Sequence, residues 1–429
     1  MIKKTLPQVE VTLEKIVGGG QALGTLEDGR KVFVWGGLPD ETVQVQLTKK
    51  KSNYAEGVVT EVLKASPERV EPKDSESFLS TSPWQLMSLE TENRYKAALI
   101  EEAFELHDIV LPNPIEVYSD GVEYGYRNKV EFSFWHDNDT NKLSLAFFRR
   151  GTHGKLPVEG TSLATDAINT RAAKIVGVLN ELGIEGRALK TLLIRSDAKS
   201  NVTWQLYVKD EDFDAGALLG KFDKDENGEV IFSNPQSPAS VITKRLTDPV
   251  KPLSDSILDV PFNYATEGFF QINLPVYEQA LKDMREWIVK DKQAVDLYSG
   301  VGSIGLTIGG DNVTLVELNE HAVREMKRNI KELNKKATAV LAASEQALDY
   351  ITSDKIIIVD PPRAGLHDDV VWRLIDEKPQ RIIYLSCNPV TQARDIAKLT
   401  KVYGIKAHRG YNFFPHTPHI EHLVVLDLY

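Results

Sequence analysis

The sequence predicts an α/β fold class, a doubly wound parallel sheet, in a chain that begins with a β-barrel and continues through a mixed α+β domain. Segments with period-two alternation and intervening turns fill roughly the first 65 residues, and strand and helix signals alternate from about residue 262 to Ala407. The stretch between them mixes both signals. We therefore predict a barrel over 1–65, a central domain over 66–260 and an α/β domain over 261–429.

Alternating apolar residues predict four strands of the barrel, at 9–13, 31–35, 42–47 and 57–63. Glycine turns separate them, and residues 66–72, with two prolines, are typical of a linker. In the central domain the pattern predicts a helix over 88–106. It also predicts central strands at 129–135, 143–149, 191–196 and 202–208.

Composition excludes several classes of protein. The 429 residues are 42% hydrophobic and 26% charged, as in soluble globular proteins, and no run reaches the ~18 apolar residues of a membrane helix. The N-terminus lacks an apolar secretory segment, and a single cysteine excludes an internal disulfide or an all-cysteine metal site. We expect a cytoplasmic protein without membrane contacts and, because no excess apolar stripe demands a partner, a monomer.

A glycine loop follows the first strand of the α/β domain. Gly300, Gly302 and Gly305 have the spacing of a dinucleotide-binding turn, which on its own is a weak signal. Asp296 lies just before the turn, where it would repel a pyrophosphate, and Glu317 ends the next strand, where it can accept ribose hydroxyl hydrogens. This pattern resembles class I S-adenosylmethionine methyltransferases, whose cofactor is a cation without phosphate. A dehydrogenase and a structural nucleotide-binding domain stay open as alternatives.

Two later strands end in polar residues that belong at the same edge of the sheet. Asp360 follows one strand and begins the run Asp-Pro-Pro-Arg, and Cys387 follows the next. A lone cysteine is usually a small buried apolar residue, but here a helix is predicted from near Thr391, and a helix N-terminus stabilises a thiolate. The last strand begins with Glu421 and lies beside the fifth strand in this fold, so Glu421 is expected near Cys387.

A cysteine, a carboxylate and a methyl sulfonium together suit one reaction. Carbon-5 of a pyrimidine becomes nucleophilic once a thiolate adds to carbon-6, and the Cys387 thiolate would make that addition. Glu421 would then remove the carbon-5 proton as a general base. Asp360 would hold either the pyrimidine or the cofactor.

With these residues the whole chain resembles the TRAM-domain RNA uracil-carbon-5 methyltransferases. Further motifs that carry the resemblance are the glycine-rich segments 18–24 and 33–39 of the barrel, Tyr-Arg-Asn-Lys at 126–129, and Phe-Phe-Gln-Ile-Asn at 269–273. The resemblance implies S-adenosyl-L-methionine as cofactor. It also implies a structured RNA as partner, ribosomal RNA before transfer RNA.

The resemblance also implies a role for individual residues. Cys387 becomes the nucleophile and Glu421 the base, while the cofactor is contacted by Gln271, Tyr298, Glu317 and Asp360. Three further residues have two interpretations each. Phe269, beside Phe270, is either a core residue at the start of a strand or a platform for the target base, and Arg127 and Lys129 either form a solvated face or contact RNA.

Two departures from the family pattern affect these expectations. Many members carry a four-cysteine iron–sulfur site, but Ser82 stands where a cysteine would precede Pro-Trp-Gln, so we expect no cluster and a central domain held by apolar packing. Around Ala343 and Ser344 the chain lacks the usual Asp or Asn that would meet the adenine amino group, which suggests recognition by backbone atoms.

Several alternatives stay open at the level of sequence. His416, His419, Glu421 and His422 form a dense run, which indicates either a zinc site or, more in keeping with their strand alternation, loop or RNA-contacting histidines. The net charge of −11 argues against binding RNA through overall charge but leaves room for a local basic face. A non-catalytic RNA-binding factor and an enzyme acting on cytosine or adenine are the rival functions.

Overall fold

The computed structural model describes residues 6–152, 154–223 and 225–429. The chain divides into two compact units. The first comprises Met1–Tyr95, Val122–Lys251 and Pro415–Pro418, and the second comprises Lys96–Gly121, Pro252–Phe414 and His419–Tyr429. The three-domain division, whose residues 1–5 lie outside the described ranges, stays a prediction. In the described part of the chain no helix has the length and apolar character needed to cross a membrane.

Five strands of the first unit close into the barrel that the sequence predicted, in the order β1-β2-β3-β5-β4. They are β1 (Gln8–Ile16), β2 (Ala22–Thr25), β3 (Lys31–Trp35), β4 (Thr42–Lys50) and β5 (Tyr54–Lys64). Alternate side chains such as Val11, Val34 and Val45 fill the interior. The four-residue β2 was not predicted, because so short a run carries too little alternation. Its Gly24 is required, since a Cβ there would lie 2.4 Å from Val11 Cγ1.

A buried ion pair ties the segment after the barrel to the barrel itself. The fully buried carboxylate of Glu41 accepts hydrogen bonds from the Arg69 guanidinium at 2.6 and 2.7 Å and from the backbone N–H groups of Leu38 and Ser66. Burial alone would raise the pKa of Glu41, but Arg69 and the two N–H donors hold it below its usual value. The predicted linker is therefore fixed to the barrel at Arg69.

We expect Arg69→Met to destabilise the barrel by about 3–5 kcal/mol at neutral pH, because it leaves the Glu41 carboxylate buried and unpaired. The pKa of Glu41 is lowered by folding, so its stabilisation is present above the unfolded pKa and is lost as the pH falls through the folded pKa. The difference between variant and wild type should therefore shrink in acid. Hydrogen–deuterium exchange of the barrel peptides, read by mass spectrometry, measures both effects.

Arg94→Met is the matched control, because Arg94 forms an ion pair with Glu68 at the surface, with 58% of its side chain exposed. The Arg94→Met change should lower the free energy of unfolding by less than about 1 kcal/mol. Equal losses of stability in the two variants would contradict the inference that Arg69 stabilises the barrel through a buried ion pair with Glu41.

The rest of the first unit is built on a seven-stranded sheet of order β13-β12-β11-β10-β7-β8-β9. Its strands are β7 (Lys129–Asp137), β8 (Lys142–Phe148), β9 (Lys155–Val158), β10 (Leu189–Ser196), β11 (Val202–Val208), β12 (Gly228–Phe232) and β13 (Lys244–Arg245). The helices of this region are α1 (Phe78–Thr81), α3 (Asp166–Glu181) and α4 (Ala215–Leu219). Apolar residues of α3, such as Ile168 and Ile175, pack on the sheet and form its core. All four strands expected in this region are present.

Hydrogen bonds as well as apolar packing hold the segment around Ser82. Gln85 Nε2 donates to Ser82 Oγ at 2.7 Å and to Asp74 Oδ2 at 3.1 Å. The Asp74 carboxylate also accepts from Thr161 Oγ1 and from the backbone N–H of Ser162. A polar cluster centred on Asp74 therefore joins three parts of the chain, in addition to the apolar packing that the sequence predicted for this domain.

The second unit contains an eight-stranded sheet of order β18-β17-β16-β19-β20-β22-β21-β6. Its strands are β6 (Val117–Tyr118), β16 (Ala294–Leu297), β17 (Thr314–Glu317), β18 (Thr338–Leu341), β19 (Ile356–Val359), β20 (Arg381–Ser386), β21 (Tyr403–Tyr411) and β22 (Glu421–Leu428). The strands from β18 to β20 are parallel, and β22 pairs antiparallel with β20 and β21. This is the predicted doubly wound sheet with its last strand beside the fifth.

Helices and a hairpin complete this unit. The hairpin is β14 (Leu253–Ile257) and β15 (Val260–Tyr264), and the helices are α5 (Leu274–Arg285), α6 (Ser303–Ile308), α7 (Glu320–Glu332), α8 (Asp368–Glu377) and α9 (Pro389–Leu399). The helix expected over 88–106 is α2 (Leu89–Glu105), and the division between the two units falls within it. Because parallel strands are covered on both faces, β19 is apolar throughout and β20 is apolar from residue 382 to residue 385, which made both strands recognisable in the sequence.

Candidate active site

Cys387 directly follows the end of β20, and Glu421 begins the neighbouring strand β22. Strands β20 and β22 are antiparallel with Ser386 opposite His422, so the next pair along this register is Cys387 and Glu421. Cys387 is half-buried and Glu421 is buried. The pairing expected from the fold is therefore present at the edge of the sheet where β16, β17 and β19 also end.

Hydrogen bonds join the three chain segments around the thiol. Asn388 caps α9 and donates through Nδ2 to the carbonyl of Arg363 at 2.8 Å, and Thr391 Oγ1 donates to the same carbonyl. The Arg363 guanidinium in turn donates to His419 Nδ1 at 2.8 Å. The Asp-Pro-Pro-Arg loop, the start of α9 and the loop before β22 are thus fixed to one another.

The acidic groups of the site raise one another's pKa values. Burial and the neighbouring carboxylates of Glu421 and Asp360 raise the pKa of the Cys387 thiol to about 12, against a smaller opposing effect of Arg363. Burial raises the pKa of Asp360 to about 7, and burial together with Asp360 raises that of Glu421 well above its usual value. Without added positive charge, the site therefore favours a neutral thiol and shared protons on the carboxyls.

The glycine loop and Glu317 form a cradle at the neighbouring strand ends. Glu317 is half-buried, and its two carboxylate oxygens accept the backbone N–H groups of Gly300 at 2.9 Å and Asn319 at 2.7 Å. Gly302 has φ +86°, a left-handed conformation that glycine adopts freely, and it precedes α6. A carboxylate held in this way still has lone pairs for two neighbouring hydroxyls.

Asp296 lies beneath this cradle and does not reach solvent. One of its carboxylate oxygens accepts the backbone N–H of Gly305 at 2.9 Å, and the other has no hydrogen-bond partner. Burial raises its pKa to about 8, with smaller effects of Asp360 and Glu317. A buried carboxyl with a vacant oxygen is suited to a cationic or hydrogen-donating ligand group.

Tyr298 and Ser344 occupy the position where the adenine contact was in doubt. Tyr298 has a left-handed backbone with φ +63° directly after β16. Burial raises the pKa of the Tyr298 phenol, against smaller opposing effects of the His367 backbone and the Ser344 side chain. Ser344 is itself buried at the start of a 3₁₀ turn near the Tyr298 phenol.

The Phe-Phe-Gln-Ile-Asn motif lies in the connection between β15 and α5. The expectation that its two phenylalanines begin a strand is wrong, because residues 265–273 form no regular element. Phe270 is buried and stacks on Tyr264 with ring centroids 4.1 Å apart, whereas Phe269 is 71% exposed. Gln271 is buried. Asn273 occupies the N-cap position of α5, but its side-chain amide has no hydrogen-bond partner and makes no capping bond.

Arg127 and Lys129 lie in the first unit and are half-buried. The backbone N–H of Arg127 donates to the carbonyl of Leu163, and Lys129 begins β7 opposite Arg195. Their roles in RNA binding, like those of the other site residues, stay predictions.

The histidine-rich segment is divided between the two units. His416 belongs to the first unit and stacks on Tyr124, while His422 in the second unit is hydrogen-bonded to Gln392 at 2.7 Å. In the described ranges no three or more His, Cys, Asp or Glu side chains converge as a metal site.

Sequence reasoning missed Lys96, a fully buried lysine of the second unit that interacts electrostatically with Glu421. It lies on α2 at helical spacing from the buried residues Ile100 and Ala103. The sequence could have singled out Lys96, because a lysine within the apolar stripe of a helix is unusual.

Known proteins resemble the chain along most of its length. Residues 256–428 match the family tRNA (Uracil-5-)-methyltransferase, and residues 8–60 match the TRAM domain. An uncharacterized RNA methyltransferase of Fusobacterium nucleatum is 27% identical over 447 residues, covering 96% of this chain and 94% of the relative. Another, from Caldanaerobacter subterraneus, is 28% identical over 446 residues, covering 98% of each.

A solved structure shares the fold. The Pyrococcus abyssi tRNA (uracil-54, C5)-methyltransferase, crystallised in complex with S-adenosyl-L-homocysteine, matches with a TM-score of 0.79 and 22% identity, over 97% of this chain and 100% of that chain. The sequence matches identify the class of enzyme, and the glycine cradle, Cys387 and Glu421 all lie within the matched residues 256–428. Residues 256–428 therefore form a domain of the tRNA (Uracil-5-)-methyltransferase family and residues 8–60 a TRAM domain, and the chain is an S-adenosylmethionine-dependent RNA methyltransferase.

Proposed function

We propose that this enzyme methylates carbon-5 of a uridine in structured RNA, with ribosomal RNA as the expected substrate class, through a covalent bond between Cys387 and carbon-6 of the base. The observation that carries the proposal is the register of β20 and β22, which sets a half-buried thiol beside a buried carboxyl. A cysteine with a purely structural role needs no neighbouring carboxyl. A cysteine nucleophile that must later be eliminated needs a base nearby to remove the carbon-5 proton.

The bond changes follow from the chemistry of uracil. The Cys387 sulfur bonds to carbon-6, and the electron pair of the carbon-5–carbon-6 double bond moves onto carbon-5 and the adjoining carbonyl. Carbon-5 then bonds to the methyl carbon, whose bond to the sulfonium sulfur breaks with its electrons left on sulfur. Glu421 takes the carbon-5 proton, the double bond re-forms and the Cys387 thiolate leaves.

The residues at the strand ends fit S-adenosylmethionine, which supplies an electrophilic methyl group on a cationic sulfur. Glu317, fixed by two backbone N–H groups, would accept hydrogen bonds from the ribose. Gln271, Tyr298 and Asp360 are the other proposed contacts, and the vacant oxygen of Asp296 is a further acceptor beneath the loop. Positive charge near these carboxyls lowers their pKa values and that of the thiol.

The protein must also control two protons. The thiol proton has to leave Cys387 before attack, and Arg363 is the nearby cation that favours the thiolate. Glu421 has to be ionised when the carbon-5 proton departs, although burial and Asp360 favour its protonated form. Phe269, 71% exposed beside the buried Phe270, is the proposed platform for a base flipped out of the RNA, and flipping costs a few kcal/mol.

Transfer RNA is the second candidate substrate. The matched family and the Pyrococcus abyssi enzyme both carry transfer RNA in their names. The proposed chemistry is the same for either RNA, so the choice depends on how the RNA is recognised. Arg127 and Lys129, in the first unit, are proposed RNA contacts.

Nucleoside mass spectrometry of ribosomal and transfer RNA, from cells with and without the gene, tests the proposal. We expect 5-methyluridine to fall in ribosomal RNA when the gene is removed and to return when it is restored. A fall confined to transfer RNA would establish the second candidate. A fall in methylcytidine or methyladenosine would replace uracil as the target base.

A separate assay addresses the covalent step. Purified enzyme, cofactor and RNA containing 5-fluorouracil should form an adduct that survives denaturation, because fluorine cannot leave as a proton does. An unchanged nucleoside profile together with no adduct on any RNA pool would favour a non-catalytic RNA-binding role.

A further inference from the structure

Asn273 stands at the start of α5, where the side chain of an asparagine normally accepts a backbone N–H of the first helical turn. Here that bond is not made, and neither the oxygen nor the nitrogen of the amide has a hydrogen-bond partner among the described residues. The residue is only 2% exposed. A buried amide without hydrogen bonds is unfavourable, so both its donor and its acceptor indicate a partner that binds there.

Two other helices of the same unit show what an asparagine at this position ordinarily does. Asn319 Oδ1 accepts two backbone N–H groups of the first turn of α7, at 2.9 and 3.1 Å. Asn388 Oδ1 accepts one backbone N–H of the first turn of α9, at 3.2 Å. Capping therefore accounts for Asn319 and Asn388 and does not account for Asn273.

The face of α5 that begins at Asn273 reaches the glycine loop. The backbone N–H of Tyr277 donates to the carbonyl of Asn273 at 3.1 Å, so Tyr277 lies one helical turn further along. The hydroxyls of Tyr277 and Ser303 share a hydrogen bond of 2.9 Å. Ser303 begins α6 directly after Gly302, the left-handed glycine of the loop.

The ring of Tyr277 leads to the strand that carries Glu421. It packs edge to face against Phe413, with ring centroids 5.8 Å apart. Phe413 lies two positions after Tyr411, and Tyr411 is the residue of β21 that pairs with Glu421. This face of α5 therefore lies between the glycine loop and the start of β22, on the two sides of which the cofactor and the base belong.

The chemistry of the amide selects the ligand. The carboxyls of Asp296, Glu317 and Asp360 already suit a cationic cofactor, to which a neutral amide adds little. Uracil is different, because its edge presents a carbonyl oxygen on carbon-4 next to an N–H at nitrogen-3. An asparagine amide has one donor group and one acceptor atom side by side and complements that edge with two hydrogen bonds. Phe269, the proposed platform for the base, precedes Asn273 in the same connection.

We propose that Asn273 binds the target uracil by this edge, with Nδ2 donating to the oxygen on carbon-4 and Oδ1 accepting the hydrogen on nitrogen-3. The inference rests on the proposed function, because it requires a uracil at the site. It gives a role to the last residue of the Phe-Phe-Gln-Ile-Asn motif, beside Phe269 and Gln271.

The same hydrogen bond acts on the reaction itself. When the Cys387 sulfur bonds to carbon-6, negative charge moves onto carbon-5 and the oxygen on carbon-4. The Nδ2 donor of Asn273 stabilises that oxygen, and a preorganised donor in a site without water has a large effect on such a step. Asn273 is therefore expected to affect the rate of thiolate addition and not only the affinity for RNA.

The test compares two variants of nearly the same shape. Asn273→Leu removes both polar atoms, and Asn273→Asp keeps an acceptor but replaces the donor by a negative oxygen. The first measurement is the rate at which the covalent complex forms on 5-fluorouracil RNA in the presence of cofactor, followed on a denaturing gel. Calorimetric binding of S-adenosylhomocysteine and the melting temperature by circular dichroism are the second and third. Asn319→Ala is the control for stability, because its side chain does cap a helix.

We expect both Asn273 variants to form the complex roughly 100-fold more slowly than the wild type, or slower still, with unchanged binding of S-adenosylhomocysteine. Asn273→Leu should melt no lower than the wild type, because it removes buried polar atoms that have no partner. Asn319→Ala should melt at a lower temperature, because it loses the hydrogen bonds of a cap. Asn273→Asp decides the matter by itself if Asn273→Leu does not fold.

Complex formation at the wild-type rate in a folded Asn273→Leu or Asn273→Asp protein would overturn the inference. A loss of cofactor affinity as large as the loss of rate would overturn it too, since the amide would then serve the cofactor and not the uracil. Failure of the proposed function has a different signature. In that case the wild-type enzyme itself would form no covalent complex and no 5-methyluridine.

Discussion

Replacing Cys387 by alanine will abolish both methyl transfer and the denaturation-resistant complex with RNA. The change removes the only sulfur nucleophile of the chain, and carbon-5 of uracil stays unreactive without addition at carbon-6. Loss of a covalent nucleophile lowers turnover by roughly four or more orders of magnitude. The rate of tritium or methyl transfer to substrate RNA, together with the gel shift on 5-fluorouracil RNA, measures the two losses.

The control for Cys387→Ala is cofactor binding. Because the glycine cradle and Glu317 belong to other strand ends, S-adenosylhomocysteine should bind the variant with an affinity close to that of the wild type. Methyl transfer retained by a variant that lacks the thiol would rule out Cys387 as the nucleophile. Joint loss of transfer and cofactor binding would indicate a damaged fold, and Cys387→Ser would then be measured in its place.

Replacing Glu421 by glutamine will stop the reaction one step later. Glutamine has nearly the same shape but accepts no proton, so the methylated base should stay bonded to Cys387. We expect a covalent complex with ordinary RNA, visible on a denaturing gel, and a loss of turnover of roughly two to four orders of magnitude. Quick, clean release of methylated RNA by this variant would show that another group takes the proton.

The pH dependence has a definite sign. Burial and Asp360 raise the pKa of Glu421, and the base must be ionised, so the wild-type rate should rise with pH in a range that lies above the titration of an ordinary carboxyl. In the Glu421→Gln variant this rise of the rate with pH should be absent. Asp427→Asn, at the far end of the same strand and paired with Arg381, is the matched control and should keep it.

The sequence alone predicted the elements that are marked by a pattern of apolar residues within a short segment. Strand β19 and residues 382–385 of β20 are continuous apolar runs, and Asp360 and Cys387 come directly after the two strands. The order of strands in a doubly wound sheet then brings Glu421 to the same edge. The barrel was visible through its alternation, apart from the four-residue β2. Chemistry at the ends of long, regular strands is therefore accessible to sequence reasoning.

Long-range polar contacts were not accessible in this way. Lys96 is separated from Asn412 by 316 positions, and Asp74 from Ser162 by 88, so no local period links either pair. Phe269 and Phe270 were both compatible with a core position at the start of a strand because they are apolar, although only Phe270 is buried. Which side chain of such a run faces inward depends on tertiary packing against Tyr264.

The polar cluster around Asp74 has a consequence for the chemical resistance of this region. Hydrogen bonds from Gln85, Thr161 and Ser162 to one carboxylate join the segments, and none of these partners can be oxidised or stripped of a metal. The connection between these three segments should therefore be insensitive to oxidants and to metal chelators.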